Sequence, residues 1–403
     1  MKKIKKNISI FIENYVAGGS DKIARDLIDN LEYEKCYLFV NSRNDFSMLL
    51  SKPLPKNCEL IKYGIKTIPE LGLFANSLKN KNLIIYFFLK VFNLIIRYPL
   101  LVVYIFYFYS LLRKYPIDIF FSNNGGYPGG ECNRVATLVS SILKIKNYHI
   151  VHNLATFPFF KPYKYIEYFI DWILSKKTTF ICVSNQTKDY LLDKRNIRCT
   201  PLVITNGVQK IYNNIKTFNK DYTTIKLLNI GALGERKNQL MLIESINILK
   251  SNGYENITLY LVGKEEDEGY LKFLKSKIEE YKLQDKVFFE GFQNNPYKYY
   301  DICDIFILSS KVESFALVRV EAMSVGMPII TTDVGDANLQ VINNENGYIV
   351  YDFNEMVDCI EKYIKDSSLI KSHSIRGFEI YNNFFTIENM IKKYQDLIEG
   401  DIN

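Results

Sequence analysis

Two glutamates, Glu313 and Glu321, are the residues in this chain whose type and spacing most clearly indicate chemistry. A short apolar strand is predicted just before them, and Gly326-x-Pro328 introduces another strand after them. Their eight-residue spacing predicts Glu313 at the mouth of a helix and Glu321 about two turns inside, near the same face. The helix start offers N–H groups to an anion, and the carboxylates on either side can accept hydrogen bonds from sugar hydroxyls.

A pair of cations, Arg236 and Lys237, follows the predicted strand Lys226–Ile230. On a loop at the end of a strand, such a pair could hold a diphosphate, with the lysine as a point charge and the arginine as a two-pronged donor. Taken without their neighbours, the two residues are equally compatible with a pair of solvated surface cations.

Gly18 and Gly19 form a third candidate, in the stretch Ala17-Gly18-Gly19-Ser20 directly after the first predicted strand. Two glycines let the backbone approach a ligand, and the start of the following helix favours a phosphate. Ser20 is expected to cap that helix. The pair is equally compatible with a turn that has a structural role only.

The strands and helices that position these loops can be predicted from the apolar pattern. Short apolar runs alternate with helix-length amphipathic stretches, which is the pattern of parallel α/β sheets. In the first half the predicted strands are Ile8–Glu13, Cys36–Val40, Ile117–Ser122, Tyr148–Val151, Phe180–Val183 and Pro201–Ile204. In the second half they are Lys226–Ile230, Ile257–Val262, Lys286–Phe289, Asp304–Leu308 and Pro328–Thr331. Ligands of doubly wound sheets bind outside the carboxyl ends of the strands, where these candidate loops lie.

The length of 403 residues suits two lobes, and the hydrophobic fraction of 48% with 24% charged residues is typical of a folded globular protein. Polar residues from Gln209 to Thr224 separate the two series of strands. We therefore expect an N-terminal domain over 1–208, a C-terminal domain over 209–380, and a helix over 381–403 that returns toward the first domain. The seven scattered cysteines include no C-x-x-C pair, which argues against a disulfide framework or a zinc site and favours a reducing compartment.

The net charge of +7 is unevenly distributed along the chain. Through Thr205 there are 29 Lys and Arg against 15 Asp and Glu, and the remainder holds 22 against 29. A basic first lobe suits an anionic partner such as a membrane surface or a phosphorylated lipid, and ordinary surface lysines are the competing explanation. Nucleic acid is not expected, because the basic residues form no dense run and no nucleic-acid motif.

The segment 83–112 is strongly apolar and aromatic. Its longest charge-free run, Tyr98–Leu112, has 15 residues and includes Pro99, which is short for a membrane-spanning helix of about 20 residues. Two interpretations stay open, a helix lying in the membrane interface and a buried helix of the first lobe. The aromatic residues and flanking cations favour contact with a membrane surface.

Taken together, these elements resemble the family-4 retaining glycosyltransferases, which have the GT-B fold. The resemblance covers nearly the whole chain and is strongest over Ile225–Val350. Its motifs are Ala17-Gly18-Gly19, Val151-His152-Asn153, Val183-Ser184, Thr205-Asn206-Gly207-Val208, Lys237, Glu313-x7-Glu321, Gly326-x-Pro328 and Gly335. The implied fold is α/β, with two doubly wound Rossmann-like lobes facing across a cleft.

The resemblance implies a nucleotide-diphosphate sugar as the donor, transfer with retained anomeric configuration, and no metal or other cofactor. It implies that Glu321 binds the ribose and that Glu313 contacts the donor sugar. It implies that Lys237 neutralises the diphosphate, and that His152 lies near the reacting centre. The diphosphate would also meet Gly18, Gly19 and the backbone amides of Phe315, Ala316 and Leu317. The expected catalytic residues are therefore His152, Glu313 and Lys237, and a front-face reaction is implied in which the leaving phosphate accepts the acceptor proton.

The sequence departs from the family pattern near these residues. The family commonly has arginine directly after the glycine that is Gly231 here, whereas this chain has Ala232. Either Arg236 substitutes for that arginine or the phosphate clamp is weaker. Ser314 and Ala316 stand where the family has glycines, which keeps the backbone donors but changes the fit to the donor sugar.

The sequence therefore predicts a hexosyltransferase that uses a UDP- or GDP-linked sugar. Its expected acceptor is a lipid-linked glycan of a capsule or lipopolysaccharide pathway, and its expected location is the inner face of a bacterial cytoplasmic membrane. A nucleotide-sugar epimerase of the same fold and a non-catalytic nucleotide-sugar-binding scaffold are the alternatives.

Overall fold

The computed structural model describes residues 5–13, 18–158, 160–211, 215 and 222–400. Two compact units make up the chain: a first lobe of Met1–Ile204 with Ile391–Asn403, and a second lobe of Thr205–Met390. The sequence predicted the corresponding boundaries after residues 208 and 380, whereas the two units divide after Ile204 and Met390. Ala17 and much of the polar stretch between Gln209 and Thr224 lie outside the described residues.

Within the described part of the first lobe, seven parallel strands form a sheet in the order β3-β2-β1-β4-β5-β6-β7. The strands are β1 (Ile8–Ile12), β2 (Cys36–Asn41), β3 (Cys58–Tyr63), β4 (Ile119–Asn124), β5 (Lys146–Val151), β6 (Thr179–Cys182) and β7 (Leu202–Val203). Helices cover both faces, so the central strands are buried on both sides and read as continuous apolar runs. Strand β3 was missed from the sequence because it is an edge strand that alternates buried and exposed residues.

The first-lobe helices are α1 (Gly19–Asn30), α2 (Ile68–Ser77), α3 (Leu83–Leu112), α4 (Glu131–Ile142), α5 (Lys164–Ser175) and α6 (Asn185–Lys194). Side-chain caps fix the starts of two of them: Asn82 accepts a hydrogen bond from the amide of Ile85 at α3, and Ser184 accepts one from Thr187 at α6. The core between α3 and the sheet is aromatic. Phe108 of α3 packs edge-on against Phe11 of β1, with ring centroids 5.2 Å apart.

Within the described part of the second lobe, six parallel strands form a sheet in the order β10-β9-β8-β11-β12-β13. The strands are β8 (Ile225–Ile230), β9 (Ile257–Val262), β10 (Val287–Gly291), β11 (Ile305–Leu308), β12 (Ile329–Thr332) and β13 (Gly347–Val350). The helices are α7 (Gln239–Ser251), α8 (Glu268–Glu280), α9 (Tyr297–Ile302), α10 (Leu317–Ser324), α11 (Ala337–Gln340), α12 (Phe353–Lys365) and α13 (Ser368–Ile380). The sequence did not predict β13, a four-residue edge strand.

The last helix, α14 (Ile387–Glu399), contributes its residues from Ile391 onward to the first lobe. Tyr394 and Leu397 are buried there. The hydroxyl of Tyr148 on β5 donates a hydrogen bond to the carbonyl of Leu397 at 3.0 Å, and Lys6 donates to the carbonyl of Ile398 at 2.6 Å. The second half of α14 is therefore an integral part of the first lobe.

Helix α3 runs unbroken for 30 residues and includes Pro99. One side of its second half is buried against the lobe through Leu101, Tyr104, Phe108 and Leu112. The other side is open: Ile84 is 82% exposed and Phe106 is 71% exposed. By length and composition, this helix is apolar enough to cross a membrane. The segment is therefore neither wholly buried nor wholly exposed in the first lobe.

Candidate functional site

The centre of the second-lobe site is a contact between Lys237 and Glu313. The ammonium of Lys237 forms a hydrogen-bonded ion pair with Oε1 of Glu313, and both side chains are largely buried. The hydroxyl of Ser310 donates to the same carboxylate oxygen at 2.7 Å. Lys237 follows β8 and Glu313 follows β11, and these strands are neighbours in the sheet. The loops therefore meet at the carboxyl edge, as in other doubly wound sheets.

Arg236 lies beside the same carboxylate with its side chain half exposed. Its Nη1 atom is 3.8 Å from Oε2 of Glu313 and donates a hydrogen bond to the carbonyl of Val312 at 3.2 Å. The backbone amide of Lys311 donates in turn to the carbonyl of Arg236 at 2.9 Å. An open pocket of about 710 Å³ borders Arg236 and Lys311. Both cations of the pair that the sequence singled out therefore face Glu313.

Helix α10 begins immediately after this cluster, in an unusual backbone conformation. Ala316, which precedes its first residue Leu317, is left-handed with φ 56° and ψ 73°. Gly335 approaches the same loop so closely that a Cβ atom there would lie 3.0 Å from the amide nitrogen of Phe315. The first amides of a helix have no acceptor inside the helix and carry its positive dipole end. The start of α10 can therefore bind an anion.

Arg319, on the first turn of α10, has no exposed surface. It connects the loop before α10 to the loop that carries Gly335. Its guanidinium donates to the carbonyl of Gly335 at 2.8 Å and to that of Phe315 at 3.3 Å. It also donates to Gln340 at 2.6 Å and to Thr331 at 3.1 Å. Burial lowers the pKa of Arg319 to about 10, which still leaves it charged at neutral pH. Arg319 therefore positions the loop before α10 and was not among the predicted site residues.

Glu321 is the fifth residue of α10. The helix begins only at Leu317, so Glu321 lies a little more than one turn inside it, and the expectation of two turns was wrong. The hydroxyl of Tyr300 donates a hydrogen bond to Oε2 of Glu321 at 3.2 Å. Burial, followed by the charge of Glu321, raises the pKa of Tyr300 well above its ordinary value, so this phenol stays protonated and acts as a donor.

In the first lobe, His152 follows β5 and is buried. Its Nε2 atom lies 2.7 Å from Oδ1 of Asn123, the penultimate residue of β4. The side-chain nitrogen Nδ2 of Asn123 donates a hydrogen bond to the carbonyl of Ser20 at 3.1 Å. This contact fixes the orientation of the side-chain amide, so that Oδ1 faces His152. Nε2 of His152 therefore carries the proton and donates it. Burial lowers the pKa of His152 to about 4, so the ring is neutral at physiological pH.

The other two histidines have structural surroundings. His149 is buried between Asn124 at 3.1 Å and Thr137 at 2.9 Å, and burial lowers its pKa to about 3. His373 lies 2.7 Å from the hydroxyl of Tyr363 in the core of the second lobe. Among the three histidines, His152 is thus the one that lies at the end of a strand beside a candidate loop.

The Gly18-Gly19 turn lies at the start of α1, but the residue that caps the helix is not the predicted one. Helix α1 begins at Gly19, and Ser20 lies inside it, so Ser20 does not cap it. The carboxylate of Asp21 accepts a hydrogen bond from the amide of Gly18 at 3.0 Å and so takes part in the cap. A Cβ atom on Gly18 would meet no described atom within 4 Å, so the space beside this backbone is open.

The structure groups the predicted site residues by lobe. Arg236, Lys237 and Glu313 lie together in the second lobe next to the backbone of Phe315, Ala316 and Leu317, with Glu321 further along α10. In the first lobe, Asn123 connects His152 to the first turn of α1. Sequence reasoning missed Ser310, Asn123, Tyr300 and Arg319. Ser310 and Asn123 were detectable in principle, since they are polar residues at the carboxyl ends of strands.

Residues 211–377 match the family model described as glycosyl transferases group 1. The chain is 26% identical over 242 residues to the capsular polysaccharide biosynthesis glycosyltransferase CapM of Staphylococcus aureus, covering 55% of this chain and 63% of CapM. It is 25% identical over 311 residues to the UDP-Gal:alpha-D-GlcNAc-diphosphoundecaprenol alpha-1,3-galactosyltransferase of Escherichia coli, covering 72% of this chain and 77% of that protein.

The fold of the whole chain is similar to that of solved glycosyltransferase structures. The structure of Anabaena HepE in complex with UDP covers 98% of this chain and 100% of its own, with a TM-score of 0.74 and 18% identity. The two parallel sheets with interleaved helices are those of the GT-B fold, as predicted. The chain spans about two thirds or less of the length of the first curated relatives that it matches.

Proposed function

The chain carries a glycosyl transferases group 1 domain in a GT-B fold, and from this premise we propose that it is a retaining, metal-independent glycosyltransferase. It would move a hexose from a UDP- or GDP-linked sugar to a glycan acceptor. The observation that carries the proposal is the cluster of Lys237, Arg236 and Glu313 beside the left-handed start of α10. Two cations, helix amides and a carboxylate are the groups that a sugar diphosphate requires.

The diphosphate is the part of the donor that this cluster fits best. Lys237 and Arg236 supply positive charge, and the amides of Phe315, Ala316 and Leu317 supply fixed dipoles. Fixed charges and dipoles stabilise the negative charge that develops on a departing diphosphate. The chemistry of the site therefore provides for leaving-group stabilisation from the protein's own residues.

Lys237 and Glu313 would change partners when the donor binds. The carboxylate of Glu313 neutralises the ammonium of Lys237 in the structure, with Ser310 as a third member. A diphosphate beside Lys237 offers the ammonium a more highly charged acceptor. Glu313 would then accept hydrogen bonds from hydroxyls of the donor sugar. Recognition of the phosphate and of the sugar would be linked through this one ion pair.

Glu321 would bind the ribose hydroxyls of the nucleotide. Tyr300 donates to one oxygen of this carboxylate and so restricts its orientation. The structure of HepE with UDP supports a uridine nucleotide as the first ligand to test. Backbone groups near Gly291 and Phe292 are the expected contacts of the base, so UDP and GDP both remain in the proposal.

In the first lobe, His152 would lie near the donor sugar, and Gly18 and Gly19 near the diphosphate. The ring of His152 is neutral and held by Asn123, which suits a hydrogen-bonding role and not that of a charged acid. In the reaction, the bond from the anomeric carbon to the phosphate oxygen breaks as the bond to the acceptor oxygen forms on the same face. The acceptor proton passes to the leaving phosphate.

The acceptor would be a lipid-linked glycan of cell-surface polysaccharide biosynthesis, at the inner face of the cytoplasmic membrane. CapM is named for capsular polysaccharide biosynthesis, and the Escherichia coli relative for a diphosphoundecaprenol-linked substrate. The exposed apolar side of α3, which includes Ile84 and Phe106, would contact that membrane. Amphipathic aromatic helices with flanking cations bind such interfaces.

Calorimetric titration with UDP and with GDP in EDTA tests the donor site. We expect one nucleotide to bind. The Glu321→Ala variant should bind it more weakly by about 1–3 kcal/mol, because a charged acceptor is lost. Glu345→Ala is the matched control, since it removes a carboxylate paired with Arg376 on the surface of the same lobe. Unchanged affinity in Glu321→Ala would remove Glu321 from the ribose site, and binding of neither nucleotide would contradict the donor proposal.

Turnover separates the enzyme from its alternatives. A transferase consumes the nucleotide sugar only when acceptor is added, an epimerase consumes it without acceptor, and a scaffold consumes none. Polyprenyl-diphosphate-linked N-acetylglucosamine serves as the acceptor probe. The anomeric configuration of the product, measured by NMR, then tests retention, and an inverted product would contradict the proposed mechanism.

A further inference from the structure

Helix α5 exposes an aromatic stripe and buries two carboxylates together with Leu174. Its outer stripe consists of Tyr165, Phe169 and Trp172, which are 82%, 57% and 37% exposed. These residues are spaced four and three apart, so they share one side of the helix. The side facing the lobe carries two buried carboxylates, Glu167 and Asp171. An amphipathic surface helix ordinarily places its apolar stripe inward and its charges outward.

Buried ion pairs hold α5 in this orientation. Glu167 pairs with Arg134 of α4 at 2.7 Å and with Arg195 at 2.6 Å. Asp171 pairs with Arg195 at 2.8 Å and accepts a hydrogen bond from Tyr127 at 2.7 Å. Burial raises the pKa of Glu167, but the two arginines outweigh this and lower it to about 2. Rotating α5 to bury its aromatic stripe would leave these charges without partners, which is strongly unfavourable.

Cations border the aromatic stripe. The ammonium of Lys176 lies 3.4 Å from the ring centroid of Trp172, and that of Lys164 lies 5.4 Å from the ring of Tyr168. Lys161 and Lys177 flank the two ends of the helix and are exposed. A stripe of tyrosine, phenylalanine and tryptophan edged by lysines matches the interface of an anionic bilayer, where aromatic rings enter the headgroup region and ammonium groups meet phosphates.

Helix α5 adjoins helix α3, the helix with the exposed apolar side. The hydroxyl of Tyr163, just before α5, donates to the carbonyl of Leu94 in α3 at 3.0 Å. The rings of Tyr98 and Tyr163 are in edge-to-face contact with centroids 4.8 Å apart, and Tyr98 also donates to Glu167 at 3.1 Å. The two helices are therefore attached to each other near the middle of α3.

We propose that the outer stripe of α5, made of Tyr165, Phe169 and Trp172, is a second membrane-docking element that inserts into the surface of an anionic bilayer. This proposal extends the membrane contact proposed for α3 and rests on it. Two docking helices joined at Tyr98 and Tyr163 define the orientation of the first lobe on a membrane, which one helix alone would leave free to rotate.

Trp172 is the only tryptophan in the chain, so its fluorescence reports on this stripe alone. The full-length protein is mixed with vesicles of phosphatidylglycerol and phosphatidylcholine, and separately with vesicles whose acyl chains are brominated. We expect the emission of Trp172 to shift to the blue on binding and to be quenched by the brominated lipid. Vesicles of phosphatidylcholine alone should give a much smaller response, because they lack the anionic partner of the lysines.

Substitutions distinguish the α5 stripe from α3. Tyr165→Glu together with Phe169→Glu should weaken vesicle binding on the order of tenfold, through loss of inserted aromatic area and repulsion by the anionic surface. Tyr351→Glu is the matched control, since Tyr351 is 72% exposed but lies in the second lobe. Phe106→Glu tests α3 separately. All variants are compared at equal helicity by circular dichroism.

Vesicle binding without a change in Trp172 fluorescence would overturn the α5 proposal and leave docking through α3 intact. Absence of vesicle binding by the folded protein would overturn both forms of membrane contact, while the nucleotide titrations would still test the donor site. A blue shift that needs no lipid and grows with protein concentration would identify a second copy of the chain as the occupant, and would contradict the proposal.

Discussion

Lys237 and Glu313 form an ion pair at the ends of two neighbouring strands, although 76 residues separate them in the chain. The pair is largely buried and includes the hydroxyl of Ser310. Removing either partner would leave a charge without its counterion in a poorly solvated place. The pair is therefore a sensitive position in the second lobe, and substitutions there test the proposed diphosphate role of the lysine.

Replacing Lys237 with methionine should lower kcat/KM on the order of a hundredfold, about 3 kcal/mol, because the leaving diphosphate loses a fixed positive charge. Lys365→Met is the control: Lys365 is exposed on α12 and lies 2.5 Å from Glu361. Steady-state kinetics with the nucleotide sugar measures both variants. Similar losses in the two would show that general surface charge, and not a specific clamp, explains the effect.

Replacing Arg236 with methionine should weaken nucleotide-diphosphate binding on the order of tenfold, because a cation beside Glu313 is lost. If Arg236 takes the place of the arginine missing at Ala232, then Ala232→Arg should restore affinity in the Arg236→Met background. Calorimetry on the two single variants and the double variant completes the cycle. Failure of the Arg236→Met substitution to weaken binding would exclude Arg236 from the clamp.

Replacing Ala316 with glycine should stabilise the protein by about 0.5–1 kcal/mol, because the left-handed backbone at φ 56° is strained for alanine and open to glycine. Ala322→Gly, in the interior of the same helix, should destabilise it by about 1 kcal/mol. Urea unfolding measures both. The same sign for the two substitutions would mean that backbone strain at Ala316 is not significant.

Acid should destabilise the first lobe partly through His152. Its pKa falls from an ordinary 6.5 to about 4 in the folded protein because of burial, so the unfolded chain binds the proton first. The stabilising contribution is therefore complete above pH 6.5 and is lost as the pH falls toward 4. Between pH 6.5 and pH 5 this amounts to about 2 kcal/mol.

The His152→Gln variant isolates that contribution, because His149 remains unchanged in it. Unfolding midpoints in urea, measured at pH 7 and pH 5, should fall less in the variant than in the parent protein. Parallel losses in the two proteins would mean that His152 is not held in its neutral form.

Motif order along the chain sufficed to predict the two sheets, most of their strands and the loops that carry Gly18, Lys237 and Glu313. Parallel strands with helices on both faces are continuous apolar runs, and their carboxyl ends are the places for ligands. Edge strand β3 escaped detection because its alternating exposed residues weaken the apolar signal, and β13 because it is only four residues long and begins with a glycine. Roles of single residues such as His152 and Glu321 came from the family resemblance and remain predictions.

The tertiary structure alone decided which distant polar residues meet. Arg319 lies on a helix, and nothing local indicates that it holds the loop before α10. Asn123 lies at the carboxyl end of a strand, which indicates a place near ligands but not its contact with His152. The same is true of α5. Its sequence determines an amphipathic helix, but periodicity cannot tell which face turns inward. That choice depends on buried arginines from α4 and from the end of α6, which pair with Glu167 and Asp171 and turn Trp172 outward.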